Sequence, residues 1–397
     1  MYFYLKYLLL LFFFINSLAL ECAYALTFNN FSELICLKQI ANEYFLMNNQ
    51  LKIKLVNRLI IKVKPGIRKV QIKNEDRHIL NVTELYRMKQ GIYYLVDIQD
   101  IKYLVPMITH FKKLPYIESV QPDILQLKEK LSHDKSHQLS GDYLKRLNIP
   151  ALWKKTMGEN VKIAIIDDGF DLIHEDLKAT RLAFGYDVEM KTLDPSPKLK
   201  IDTHGTQIAG IIFARHNQIG IDGIAPQASL IAIRHADTWT SKMILSFYVA
   251  KMAGADIINC SWISKFLLEP IADVINDLTT EGRKGKGIAV VFAAGNKGLH
   301  IQPNSNEAAV ANVISVGAIN YMGNRLKFSN YGSCVDFFTY GKNIKTTTYS
   351  KRKYAFISGT SASAAIVSGL CALILSQNQG MSLIQLNNKL QTILTLK

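Results

Sequence analysis

The sequence predicts an α/β protein: a parallel sheet flanked by helices, preceded by a small α+β unit. Three observations carry this. From about residue 141 onward, apolar runs of strand length recur at residues 161–166, 230–233, 257–260, 288–293 and 313–318, with helical segments between them. Such alternation implies a parallel sheet covered on both faces. Upstream, residues 26 to about 136 mix strand patterns with one short helical stretch. Between the two, residues 128–140 are polar and rich in Lys, His and Ser, which reads as a linker. With 397 residues, 49% of them hydrophobic and 20% charged, the chain is long enough for a large core and more than one domain.

The extreme N-terminus stands apart from the fold. Lys6 precedes an apolar run over residues 7–15, and a softer stretch ends in Ala23-Tyr24-Ala25. The run is short for a membrane span, and the A-x-A ending suits a signal peptidase. Residues 1–25 therefore read as a secretory signal cut after Ala25. The competing reading is a signal anchor left uncleaved. Cys22 is a poor lipoprotein cysteine because Glu21 precedes it. Export to the periplasm or the extracellular space follows, with no stable membrane span once the signal is gone.

In the upstream unit, Leu59-Ile60-Ile61-Lys62-Val63-Lys64 alternates and stops at Pro65-Gly66, a strand followed by a turn. Residues 91–98 form a second strand candidate and residues 104–111 a short helix. Residues 116–125 form a last strand that contains Pro122-Asp123.

Five cysteines give no disulfide framework. Cys260 and Cys371 lie in apolar segments and read as small buried hydrophobes. No histidine-bearing motif frames any cysteine as a nucleophile. The formal charge is +15, but Lys and Arg are dispersed and no block of like charge appears. Attraction to anionic surfaces is the most this supports, and no recognition motif accompanies the charge to suggest a nucleic-acid partner. The chain carries no oligomeric signal and reads as a monomer.

Four short motifs stand in order: Asp167-Asp168-Gly169, His204-Gly205-Thr206, Ala294-Gly295-Asn296 and Gly359-Thr360-Ser361. Together they contain the groups of serine nucleophilic catalysis: an attacking hydroxyl, a base, an acid that orients the base, and an amide for the oxyanion. Asp167 ends an apolar strand, where α/β proteins place their sites; alone it reads equally as a turn former or helix cap. His204 opens an apolar helix and has the right basicity for a general base; alone it reads as a helix-start residue. Ser361 opens another apolar helix, whose N-terminus favours developing negative charge; alone it reads as an N-cap. Asn296 follows a strand across two small residues and alone reads as a turn. The order Asp, His, Ser is that of subtilisin. No second histidine or cysteine stands at zinc-ligand spacing.

From about residue 140 to the C-terminus the chain resembles the subtilase family of serine peptidases. The resemblance extends through His174-Glu175-Asp176-Leu177, His204-Gly205-Thr206-Gln207-Ile208-Ala209-Gly210, Gly223-Ile224-Ala225-Pro226, Gly254-Ala255-Asp256-Ile257-Ile258-Asn259, Phe328-Ser329-Asn330-Tyr331-Gly332 and Gly359-Thr360-Ser361-Ala362-Ser363. It implies a subtilisin-like fold over 137–397, with Asp167, His204 and Ser361 as the triad. Asn296 and the Ser361 N–H would form the oxyanion hole. Substrate would pair along Ser261, Trp262 and Ile263, with Gly295 opposite. Residues 26–136 resemble, more loosely, the family's inhibitory prodomain. That implies a self-processed precursor cut near residues 130–140 and acting on polypeptides. The resemblance also implies a structural calcium site at Asp176, Asn217, the carbonyls of Ile219 and Ile221, and Gln138, an oxygen set that suits calcium. The competing reading there is an ordinary surface turn. No cofactor is implied for the chemistry.

Several positions depart from the family pattern. Asp168 replaces a serine or threonine; it is expected to face away from Asp167, since neighbours on extended chain alternate. Ser261-Trp262-Ile263 replaces Ser-Leu-Gly, which places a branched side chain at the substrate edge and predicts a narrowed or altered S1 region. Glu307, in Ser305-Asn306-Glu307, is expected near the S1 floor, where an acid would favour basic side chains. Ala365 stands where a proline is usual, and Thr339-Tyr340-Gly341 replaces Ala-Pro-Gly. Two other readings compete with a peptidase. One is a catalytically silent subtilase-like scaffold, with its pocket closed by Trp262 and Ile263. The other is an esterase, which the lack of a G-x-S-x-G elbow opposes.

Overall fold

The computed structural model describes residues 26–40, 43–47, 51–126 and 143–394. The stretch read as a signal and the whole of the linker, Gln138 included, lie outside them. The chain divides into two compact units. One comprises residues 1–127 with 239–241 and 268–270; the other comprises the remainder.

The first unit is an antiparallel sheet of β1 (Leu26–Asn30), β2 (Glu33–Ile40), β3 (Glu43–Leu46), β4 (Lys52–Val63), β5 (Ile79–Arg87), β6 (Ile92–Ile98) and β7 (Ile117–Gln126). Its order is β1-β2-β3-β4-β6-β5, with β7 paired to β4. Two helices join it, α1 (Lys69–Lys73) and α2 (Leu104–Phe111). α2 buries Leu104, Met107, Ile108 and Phe111, the spacing of a single apolar face, and packs on β4 and β7. Pro122 is tolerated in β7 because β4 is the one named strand that pairs with it among the described residues, an isolated bridge from Leu125 to Trp239 aside. Strands β4, β6 and β7 and helix α2 stand where the pattern predicts them. β1, β2, β3 and β5 carried no such signal: β2 buries only Ile35 and Leu37. Cys36 is in a disulfide, contrary to the expectation of none.

The second unit begins with two short helices, α3 (Tyr143–Arg146) and α4 (Ile149–Trp153). Its strands are β8 (Lys162–Asp167), β9 (Arg181–Asp187), β10 (Ser229–Arg234), β11 (Ile257–Cys260), β12 (Ala289–Ala293), β13 (Ile314–Ile319) and β14 (Phe337–Tyr340), followed by a hairpin, β15 (Ile344–Thr347) and β16 (Tyr354–Ile357). Helices α5 (His204–Phe213), α6 (Thr240–Met252), α7 (Glu269–Gly285), α8 (Thr360–Gln377) and α9 (Leu383–Leu394) complete it. The main sheet runs β14-β13-β12-β11-β8-β10-β9, every pair parallel. The five predicted apolar runs are β8, β10, β11, β12 and β13. β9 and β14 went unpredicted because they are edge strands, and β9 leaves Leu182 and Phe184 exposed.

The succession of strands reverses direction between β8 and β11, and ligand crevices form beyond the carboxyl ends of strands at such a switch point. α8 is buried from Thr360 to Leu375 and packs on β11, β12, β13 and α5. α8 is long and apolar enough to cross a membrane, but 89% of it is buried in the protein, so it is a core helix. The sheet and these two helices hold three loop ends and two helix N-termini beside one another.

Candidate active site

β8 ends in Asp167, which is buried, and both its carboxylate oxygens lie 2.9 Å from His204 Nδ1. His204 is the first residue of α5, so that helix delivers the ring to the end of the strand. The approach is close: a Cβ at Gly205 would lie 2.5 Å from the Gly169 carbonyl and 3.1 Å from Asp167 Cβ, so only glycine fits. A carboxylate on Nδ1 directs the imidazole's other nitrogen to act as the base.

Asp168 does not turn away from the site. Its carboxylate accepts the backbone N–H of His204 at 3.2 Å and of Gly205 at 2.8 Å. It thereby caps the helix that carries the base. Burial, and next the Asp167 charge, push its pKa up to about 6 against the lowering pull of His204 and the two amides. The alternation expected of an extended chain fails here because Gly169, at φ +146°, turns the chain immediately after β8.

Arg234 is a further residue the motifs did not reveal. It ends β10 beside Asp167 in register, and its buried guanidinium reaches Asp187 and Asp202, each at 3.1 Å. Asp202 also accepts the N–H groups of Lys198 and Leu199. The ion cluster therefore ties the segment just before His204 to the sheet. His235 donates its backbone N–H to the Asp167 carbonyl at 2.6 Å, and its ring meets the Trp262 edge.

Ser361 is the second residue of α8 and is buried. Its hydroxyl donates to the Ser261 carbonyl at 2.9 Å, and the Ser261 hydroxyl donates to the Ser361 carbonyl at 3.2 Å. Thr360, beside it, orients Asn296: the Asn296 carboxamide oxygen accepts both the N–H and the hydroxyl of Thr360 at 2.9 Å. This network assigns the Asn296 NH₂ group as the remaining donor. The Gly295 N–H donates to Thr360 Oγ1 at 3.0 Å. Asn330 clamps the same turn, donating to the Ala294 carbonyl and accepting from the N–H groups of Lys297 and Leu299.

Of the expected substrate-edge residues, Ser261, Trp262 and Ile263 continue β11, and Gly295 stands across from Ile263. Trp262 Nε1 donates to the Ile166 carbonyl at 2.7 Å. Glu307 is not at a pocket floor open to a basic side chain. It is 1% exposed, and its two oxygens accept the Ser264 N–H at 2.8 Å and hydroxyl at 2.5 Å. Burial raises its pKa.

At the expected calcium position, Asp176 is fully buried. Its oxygens accept from Asn217 Nδ2 at 3.2 Å and the Ile221 N–H at 3.1 Å, while Asn217 Oδ1 accepts the Ile219 N–H at 2.9 Å. Asp176, Asn217, Ile219 and Ile221 are thus brought together. A buried carboxylate met by neutral donors is costly and gains from a cation. The groups that meet this carboxylate and the Asn217 amide oxygen are N–H donors, while the carboxylate and amide oxygens themselves are of the hard kind that calcium takes.

The structure joins Asp167 to His204 and sets Ser361, bonded to the Ser261 carbonyl, beside Asn296 through Thr360, at the switch point of a parallel sheet. The model of the subtilase family (Peptidase_S8) matches residues 158–395, and the chain belongs to that family. It is 35% identical over 233 residues to a thermophilic serine proteinase of Bacillus sp. strain AK1, covering 57% of this chain and 55% of that protein. It is 34% identical over 223 residues to a calcium-dependent protease of Nostoc sp., covering 51% of this chain and 33% of that protein. The chain thus spans about half or less of these relatives' length. A solved cold-adapted subtilisin-like serine proteinase aligns with a TM-score of 0.50 at 25% identity, covering 60% of this chain and 83% of that one.

Proposed function

We propose that this protein is an exported serine endopeptidase made as a self-processing precursor. The observation that carries this reading is the Asp167–His204 contact at 2.9 Å, with Asn296 oriented next to Ser361 by Thr360. To react, the Ser361 hydroxyl exchanges the Ser261 carbonyl for the His204 imidazole, a tightening common when substrate enters. His204 takes the proton as Ser361 Oγ attacks the peptide carbonyl. Asp167 stabilises the imidazolium that forms. The oxyanion is met by Asn296 Nδ2 and by the Ser361 N–H, which lies in the first turn of α8 and has the helix dipole behind it. His204 then donates its proton to the leaving amine. Water repeats the sequence on the acyl-enzyme, releasing the acid and restoring Ser361.

The relatives' names speak for proteolysis, and one names calcium dependence. Asp176, Asn217 and the carbonyls of Ile219 and Ile221 would hold such an ion, which would stabilise the loop and take no part in the chemistry. Residues 26–136 would act as inhibitory prodomain, removed by cleavage near residues 131–141. The test is mass spectrometry of wild-type and Ser361→Ala protein after incubation with calcium, together with labelling by a serine-directed fluorophosphonate. A shortened wild-type product, absent in the variant, and labelling that depends on Ser361 are expected. An unlabelled, full-length protein in both preparations sinks the peptidase reading and leaves the scaffold.

A further inference from the structure

We propose that Ile263 determines the specificity of this peptidase by filling the pocket for the side chain on the acyl side of the scissile bond (P1), so that substrates carry glycine, alanine or serine there. This rests on the peptidase reading of Ser361.

The geometry of attack places the pocket. The scissile carbonyl carbon must meet Ser361 Oγ while its oxygen points to Asn296. The P1 Cα is one bond away, so its side chain enters the slot between the chain leaving β11 and the chain leaving β12. These strands are parallel neighbours, joined from Ile257↔Ala289 to Cys260↔Phe292. The slot is therefore bounded by residues 261–264 on one side and 294–296 on the other. Ile263 bridges it. A Cβ added to Gly295 would lie 2.7 Å from Ile263 Cδ1, which means that the isoleucine already rests against the Gly295 backbone.

Neither wall is free to retreat. On the β11 side the chain is pinned at three successive points. The Ser261 hydroxyl donates to the Ser361 carbonyl, Trp262 Nε1 donates to the Ile166 carbonyl, and the Ser264 N–H and hydroxyl both donate to buried Glu307. The Trp262 ring is also held edge-on by His235 and Phe292, each at 5.7 Å between centroids. On the β12 side, Gly295 is tied to Thr360 and the turn is clamped by Asn330. A β-branched side chain has few χ1 states with which to swing aside. A large P1 side chain therefore has to displace one of two hydrogen-bonded walls, and a small one does not.

The discriminating experiment uses the processed enzyme and fluorogenic peptides identical except at P1, with Gly, Ala, Leu, Phe, Lys and Glu. Each preparation is normalised to the fraction labelled at Ser361 by a fluorophosphonate. In the wild type, kcat/KM for Ala is expected to exceed that for Phe or Leu by ~100-fold, the scale on which misfit in an apolar pocket discriminates. Ile263→Gly is expected to shrink that ratio at least ~10-fold, and Ile263→Ala, which keeps a backbone like the native one, to shrink it less. Wild-type enzyme that cleaves after Phe or Leu as well as after Ala overturns the proposal. So do labelled Ile263→Gly and Ile263→Ala enzymes that keep the wild-type ratio. Wild-type protein that is not labelled at Ser361 removes the peptidase reading and this proposal with it.

Discussion

The two halves of the site are built from different forces. The acid–base half, at the ends of β8 and β10, is ionic. In this largely buried set Asp187 and Asp202 face the Arg234 guanidinium, while Asp167 holds the His204 ring and Asp168 accepts the His204 and Gly205 amides. The nucleophile half, at the ends of β11 and β12 and the start of α8, is neutral. Ser261, Ser361, Thr360, Asn296 and Asn330 are joined by hydroxyl, amide and backbone hydrogen bonds. An ionic network moves with pH and suffers when one charge is removed. A neutral network of this sort is insensitive to pH in the working range and fails when a donor or its orientation is lost. Substitutions in the two halves therefore have different signatures.

The largest effects belong to the neutral half. Ser361→Ala is expected to lower kcat by about 10⁶-fold, the loss found for the nucleophile of subtilisin, at every pH tested. Steady-state kinetics on a casein-derived peptide check this, and residual turnover within a hundredfold of wild type removes Ser361 from the nucleophile's role. Asn296→Ala is next, at about 10²–10³-fold in kcat, the cost of an oxyanion donor in subtilisin, with KM nearly unchanged. A loss carried by KM instead assigns Asn296 to substrate binding.

The neutral half was also the more legible in sequence. Ser361 and Asn296 lie inside contiguous motifs, and the small residues around them announce a close approach of backbone. The ionic half was legible only at Asp167 and His204. Arg234 belongs to an apolar strand, Asp187 to an edge strand with no periodic signal, and Asp202 to a loop, so their meeting depends on parallel register across β8, β10 and β9. No local pattern encodes that pairing. Asp168 was misread for a related reason. Alternation describes a strand, and the chain has left the strand by Gly169. Glu307 is the same lesson in the pocket: its position along the chain suggested an open floor, whereas burial and two bonds from Ser264 make it part of a wall.

Within the ionic half, Arg234→Met is expected to cost about 3–5 kcal/mol of stability, because it strands Asp187 and Asp202 without their counter-charge. Thermal or denaturant unfolding of the Ser361→Ala background, which prevents self-digestion, gives the number. A change below about 1 kcal/mol would mean that water already shares this site. The calcium proposed at Asp176 would act in the same way. Saturating calcium at about 100 times its Kd is expected to add about 2.7 kcal/mol, and Asp176→Asn to abolish the increment. An increment that survives Asp176→Asn places the ion elsewhere.

The smallest and most diagnostic effect is expected at Asp168. Its folded pKa is raised to about 6 from an ordinary 3.8. Between those values the folded state holds a proton that the unfolded state has lost, so the slope of stability against pH is negative there. The folded protein carries the cost of the buried second carboxylate above pH 6 and sheds it as pH falls toward 4. Asp168→Asn removes this titration. Relative to that variant, the wild type is expected to gain stability on going from pH 7 to pH 4.5, opposite to the usual trend for a carboxylate held by a partner. Activity should follow the reverse course. Protonation leaves a weaker acceptor for the His204 and Gly205 amides, so the wild type loses an alignment below pH 6 that the variant lacks throughout. The measurement is the wild-type minus Asp168→Asn difference in unfolding free energy at both pH values, read in the Ser361→Ala background. If that difference is flat with pH, Asp168 is charged or neutral in both states alike, and its burial beside Asp167 does not set the pH dependence of stability.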